Sequence, residues 1–186
     1  MKNIKFLIPL FLLLSCSAPY HVTTSKSDKF SDPNEPELIE LDHNAFYDYD
    51  PLQKYAYPEL DAYVKVDRKT KKAIEFGIKI VNTNRRRYIL IRENEATFLA
   101  DTSHIDVKPN FSIFDYKEPA SGVFVYYDIG YYPLTKEQFE KIVYAKNLSV
   151  RVRGDRGIVD YDNDEIIDSC RKNLKRFYKT EILPRL

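Results

Sequence analysis

From Leu60 onward apolar and polar positions alternate. Ala62, Val64 and Val66 interleave with Asp61, Tyr63, Lys65 and Asp67; after the basic stretch 68–72, Ile74, Phe76, Ile78 and Ile80 interleave with Glu75 and Lys79. A period of two predicts half-buried antiparallel strands, and the short polar link between the two runs predicts a hairpin. Similar patterns recur at Tyr88–Arg92, Ala96–Ala100, Phe111–Tyr116 and Val123–Tyr132, with turn residues between them. Strands at intervals of roughly ten to fifteen residues point to an antiparallel β-sandwich or a strongly curled sheet.

Beyond Pro133 the period changes. Thr135 stands three residues before Gln138, and Leu134 is set to pack on Phe139, which together predict a capped helix start with a hydrophobic staple. Phe139, Ile142 and Val143 form its apolar stripe. Leu148, Val150 and Val152 then alternate with Arg151 and Arg153, and Gly154 and Gly157 bracket a turn before Ile158-Val159. A second helix is expected to begin near Asp162, with Glu165 three residues on, and to carry Ile166, Cys170, Leu174 and Phe177 to about Ile182. The fold class is α+β, with two helices in the C-terminal third and a single globular domain over 59–186.

Two segments precede that domain. Residues 38–58 are dense in aromatics, with Phe46, Tyr47, Tyr49, Tyr55 and Tyr57 among aspartates and prolines. Such a segment either wraps over the body and covers a sheet edge, or offers Tyr side chains as rigid amphipathic contact area for a partner or a sugar. The absence of Trp weighs against the sugar version. Residues 16–37 are polar and lack apolar periodicity, which predicts a flexible tether of roughly 25 Å root-mean-square span and about 70 Å at full extension.

At the N-terminus Lys2 and Lys5 precede the apolar run Phe6–Leu14, followed at once by Ser15-Cys16. A helix of that length covers roughly 14 Å, half of a bilayer's hydrocarbon core, so residues 1–15 form a signal peptide rather than a membrane span. Leu13-Leu14-Ser15-Cys16 resembles the lipobox of bacterial lipoproteins. The resemblance implies diacylglycerol on Cys16, cleavage before it and acylation of the new amine; a second acyl chain is what turns marginal membrane binding into stable anchoring. The bland alternative is ordinary cleavage after Ala18. Ser17 is not the aspartate that resembles an inner-membrane retention signal, so the resemblance places the protein in the cell envelope at a Gram-negative outer membrane. The helical and strand pattern of the C-terminal part is similar to the endings of small envelope lipoproteins.

Charge and chemistry narrow the function classes. Lys plus Arg number 29 against 28 Asp plus Glu, which gives no basic footprint for nucleic acid. Two cysteines, one of them used by the lipid, exclude an intrachain disulfide. Asp160, Asp162 and Asp164 match the first ligands of a calcium loop, but Glu165 stands where glycine is required and Arg171 where a bidentate Glu is required. Helix capping is the plainer role for these acids. Cys170 lies on an apolar stripe and is expected to be inert core. His21, His43 and His104 look isolated, so no metal site and no cofactor is expected. Ser103, His104 and Asp106 are too close along an extended chain to build a triad. Arg85, Arg86 and Arg87, with Arg151, Arg153 and Arg156, either form a patch for anionic headgroups or are ordinary solvated charge. Tyr126-Tyr127 and Tyr131-Tyr132 put aromatics on both faces of one strand, with Gly130 permitting a bulge.

The expected function is therefore a lipid-anchored envelope protein with a non-catalytic binding or assembly role. Its contacts are the membrane, through Cys16, and an envelope protein, through Tyr47, Tyr49, Tyr55, Tyr57, Tyr126, Tyr131, Arg151 and Arg153. The alternatives are a periplasmic or surface hydrolase, or an inhibitor of one, and a carbohydrate-binding module.

Overall fold

The computed structural model describes residues 20–25, 32, 34–46, 57–84 and 88–186. The signal peptide, Cys16, Tyr47, Tyr49, Tyr55 and Arg85–Arg87 lie outside the described residues. Among the described residues ten strands form two antiparallel sheets. The larger, a curled half-barrel, has the order β1-β2-β3-β4-β8-β7, from β1 (His21–Thr24), β2 (Glu37–Asp42), β3 (Glu59–Val66), β4 (Ala73–Asn84), β7 (Phe111–Ala120) and β8 (Val123–Pro133). The smaller has the order β10-β9-β5-β6, from β5 (Ala96–Ala100), β6 (Ser103–Val107), β9 (Leu148–Gly154) and β10 (Gly157–Tyr161). Helices α1 (Lys136–Tyr144) and α2 (Asp168–Phe177) complete the fold, and α2 continues through a π-helical turn, Tyr178–Ile182. Among the described residues no helix is long and apolar enough to cross a membrane.

The alternation read from the chain decides which way each strand faces. Leu60, Ala62 and Val64 of β3 and Ile78 and Ile80 of β4 enter one core with Phe98 and Val150 of the smaller sheet and Phe139, Leu174 and Phe177 of the helices. Aromatic contacts knit the layers together: Phe98 meets Tyr132 edge-on at 6.3 Å, and Phe139 stacks on Tyr178 at 5.4 Å. The start of α1 is as expected. Thr135 Oγ1 accepts from the Gln138 N–H, Gln138 Oε1 accepts from the Thr135 N–H, and Leu134 and Phe139 are both buried.

Several elements differ from expectation. The stretch expected to be a tether contains β1, whose His21–Thr24 pair with Ile39–Asp42 of β2. Two anchors hold this edge: Val22 and Tyr20 pack against the core, and Tyr20 lies under the Arg176 guanidinium at 4.0 Å. Part of the aromatic segment likewise becomes β2, paired with β3, while Phe46 is buried and stacks on Tyr161 at 4.3 Å. Residues Tyr88–Arg92 are a loop, not a strand. Ile89 and Ile91 are buried, but the Ile89 and Leu90 N–H groups donate to the buried Asp128 carboxylate at 2.8 and 3.0 Å, and Leu90 and Arg92 have positive φ. The apolar rhythm is satisfied without a ladder.

Residues Ser103–Val107 form a strand, with Ile105 pointing inward between His104 and Asp106. Gly130 makes no bulge, because it pairs in register with Ile80 and Ser112. Its role is spatial: a Cβ there would meet the Tyr132 ring at 2.7 Å. The irregularity falls instead between Lys117 and Ala120, at Pro119 near the hairpin tip.

Helix α2 begins at Asp168, six residues later than expected. Asp162 and Glu165 do cap one another, the Asp162 N–H donating to Glu165 Oε2 at 2.8 Å, but they close a turn rather than a helix. Arg171 then fixes this turn, donating to Asn163 O, Asn163 Oδ1, Ile166 O and Lys146 O. A guanidinium thus fills the position where a calcium loop needs its final carboxylate, and Asp160 is held by Arg151.

Candidate functional site

Three places gather polar or aromatic side chains. The first is the β7–β8 hairpin. Among the described residues strand β7 ends the larger sheet, with no described strand beside one of its edges, and it is exposed along nearly its whole length. Phe111 and Ile113 stand on one face, Phe114 and Tyr116 on the other, with Phe124 beside Tyr116; Phe111 is 57% and Tyr116 59% exposed. Tyr126, expected as a contact residue, is half-buried in a cluster with Tyr88 and Phe114 at 5.3 and 6.4 Å. Tyr131, also expected as a contact residue, is half-buried and donates its hydroxyl to Glu40 Oε1 at 2.9 Å. Tyr131 therefore belongs to an internal network, and the exposed aromatic surface consists of residues that strand alternation had assigned only as strand. Tyr57 is half-buried two residues before β3.

The second place is a cleft of about 400 Å³ on the outer face of the smaller sheet, lined by Arg151, Arg153, Asp106, Asp160, His104 and Ser149 among others. Asp106, Thr97, Arg151 and Asp160 are in register across its four strands. Arg151 makes a two-pronged pair with Asp160 at 2.6 and 2.8 Å, which holds the Asp160 carboxyl below its ordinary range. Arg153 donates to Thr97 Oγ1 at 2.8 Å and lies 3.7 Å from Glu95. Each expected contact arginine is thus matched by a neighbouring acid, which disfavours a polyanion there. His104 and Ser149 sit two strands apart, roughly 10 Å between backbones, and Asp106 and Asp160 three strands apart. Neither spacing gives a base within hydrogen-bond reach of a nucleophile.

The third place was not legible as a site. On the face of the larger sheet opposite the main core, Lys79 is paired across the ladders with Asp61 on one side and Tyr131 on the other. Its ammonium lies 3.0 Å from Asp61 Oδ2 and 3.3 Å from both Glu40 Oε1 and Asp42 Oδ1, with only 8% of the side chain exposed. Asp61 is fully buried; its Oδ1 accepts from the Asn44 N–H at 2.9 Å, and its Oδ2 faces Lys79 outside hydrogen-bond geometry. Tyr63 stands edge-on to Tyr131 at 5.2 Å and donates to Glu75, which also holds Lys65.

Burial pushes the Asp61 carboxyl up to about 7, with the Glu59 charge adding and Lys79 opposing. Burial alone would lower the Lys79 ammonium, but Asp61, Glu40 and Asp42 together hold it above its ordinary value. Asn44 anchors the network to α2: its Nδ2 donates to Leu60 O and Cys170 O, and its Oδ1 accepts from Asn173.

No family model, no curated protein and no solved structure matches the chain.

Two expected outcomes follow from this geometry. Asp61 holds a proton in the folded state that the unfolded chain releases, so stability falls as pH rises from about 4 to about 7. Asp61→Asn is expected to flatten that fall in urea melts between about pH 4.5 and 6.5. His43, whose imidazole is raised, contributes stability that is lost only above its ordinary value, outside that window. Cys170 is buried in the core and its thiol is pushed up by burial. Native protein is expected to resist thiol reagents on the timescale that labels the urea-unfolded chain, and Cys170→Ala to cost about 1–2 kcal/mol.

Proposed function

We propose that this protein is a lipid-anchored component of a Gram-negative outer membrane with a non-catalytic binding or assembly role. It is held by diacylglycerol on Cys16 and meets a protein partner through the β7–β8 hairpin. The observation that carries the second half is the open edge of β7, ten residues long with aromatic side chains on both faces. A free edge supplies a row of unpaired backbone donors and acceptors, and flanking aromatics supply the apolar anchors, which is the chemistry by which a sheet accepts an added strand. The first half rests on the lipobox resemblance and the apolar run before it.

Two experiments test the proposal. Cells fed labelled palmitate are expected to label the full chain and to lose the label in Cys16→Ala. A photocrosslinking residue in place of Tyr116 is expected to yield one discrete adduct in intact envelopes, abolished by Phe114→Glu. An unlabelled chain found free of the envelope would overturn the anchoring. Turnover of a wall or glycan substrate by the pure protein, with no adduct, would overturn the binding role.

A further inference from the structure

His21 and His43, isolated in sequence, are brought together. In register, β1 places His21 opposite Asp42, and the His21 ring stacks on that of His43 at 6.2 Å. Consecutive residues of a strand point to opposite faces, but His43 has φ of 60°, a left-handed turn at the end of β2 that brings its ring back to the side of Asp42. Glu59 opens β3 on the same side. His43 Nδ1 lies 3.3 Å from Glu59 Oε1 and its Nε2 3.7 Å from Asp42 Oδ2, and one ligand atom from each of the three residues falls within 4.8 Å of the others. Asp42 is itself oriented, since its other oxygen faces the Lys79 ammonium at 3.3 Å.

We propose that Asp42, His43 and Glu59, with His21 as a fourth donor, form a surface site for a divalent d-block cation, and that zinc is its natural occupant. One or two imidazoles with two carboxylates suit zinc, which accepts nitrogen and oxygen at about 2.0–2.2 Å in a tetrahedral shell; calcium and magnesium prefer all-oxygen sets. The Asp42, His43 and Glu59 donors, within 4.8 Å of one another, need to close by up to about 1.4 Å to reach the spacing of a tetrahedral zinc shell. An independent feature of the neighbourhood also favours a cation. Among the described residues, the carboxylates of Glu40, Asp42, Glu59 and Asp61 gather around one permanent positive charge, Lys79, whose ammonium lies 3.0–3.3 Å from three of them. Lys79 acts here as the outer partner that fixes a ligating carboxylate.

The test is zinc chloride titrated calorimetrically into the full-length protein at pH 7.5, with magnesium and calcium chloride in parallel. One zinc per chain is expected, with no comparable magnesium or calcium heat. Affinity is expected to fall about tenfold or more in His43→Ala and in Glu59→Gln. The imidazole signals of His21 and His43 are expected to shift together on zinc addition in NMR spectra. Asp160→Asn, in the distant cleft, serves as the control and is expected to bind as the parent does. Absence of saturable binding, or stoichiometric binding undiminished in the folded His43→Ala Glu59→Gln double variant, would overturn the proposal.

Discussion

Lys79→Ala is expected to lower stability by about 3–5 kcal/mol at neutral pH, the scale seen when one partner of a buried charge network is removed. Among the described residues the ammonium is the only cation within 3.3 Å of Glu40, Asp42 and Asp61, and Asp61 has no access to water. Its loss leaves an uncompensated buried carboxylate, and a domain whose whole stability is about 5–15 kcal/mol has little room for that. The sign of the pH response separates this cause from a simple packing defect. In the variant, stability should recover as pH falls from about 7.5 towards 5, because protonation removes the charge left without a counterion. Adding Asp61→Asn should restore part of the loss at pH 7.5, giving a coupling energy in a double-mutant cycle. A loss below about 1 kcal/mol, with no recovery in acid, would show that the cluster is solvated and weakly coupled.

Gly77→Ala is the second large effect. Gly77 lies in the middle of the larger sheet, paired with Tyr63 on one side and Pro133 on the other. A Cβ there would stand 2.0 Å from Tyr132 O and 2.9 Å from Pro133 Cα, both backbone atoms of the neighbouring strand. No rotamer change can relieve a clash with backbone, so β4 and β8 would have to part where Tyr132 enters the core. The expected cost is about 3 kcal/mol or more, at the upper end for overpacking, seen as loss of soluble protein or a large fall in the urea midpoint. Gly122→Ala, at the hairpin tip, meets nothing within 4 Å and carries only the strain of its φ of 74°, so about 1 kcal/mol is expected.

What could be read from the chain was what is local. The cap of α1 needs only Thr135, Gln138, Leu134 and Phe139, all within one turn. The strands β8 and β9 show their buried faces in simple alternation, whereas β3 and β4 are buried on both faces over most of their length. The start of α2 was misread because its boundary depends on Arg171 reaching back to Asn163 and on the Ile167 N–H finding Phe46 O. Residues 88–92 alternate like a strand, and nothing local announces that Asp128 will take the amides of Ile89 and Leu90.

The Lys79 cluster was invisible for a related reason. Alternation places Asp61 and Lys79 on the polar faces of two strands, but only the register of β3 on β4 makes them neighbours, and only the curl of the sheet buries them. The meeting of His21 with His43 needs β1, and β1 lies where composition predicted a tether. Tyr126 and Tyr131 were marked as aromatic contacts, while the more exposed Phe111, Phe114 and Tyr116 on the adjacent strand were not, because which strand ends the sheet is a matter of topology.

Strand β1 also sets how high the molecule can stand. Its first residue, His21, follows Cys16 by five positions, so a lipid on that cysteine leaves a leash of about 17 Å at full stretch. A protein moored this short could not sweep the space above the bilayer; it would ride against the headgroups with its β1 edge nearest the mooring point. Any ligand of His21 would then be met at the lipid–water boundary, and any partner of the β7 edge, at the opposite end of the same sheet, would approach from the far side.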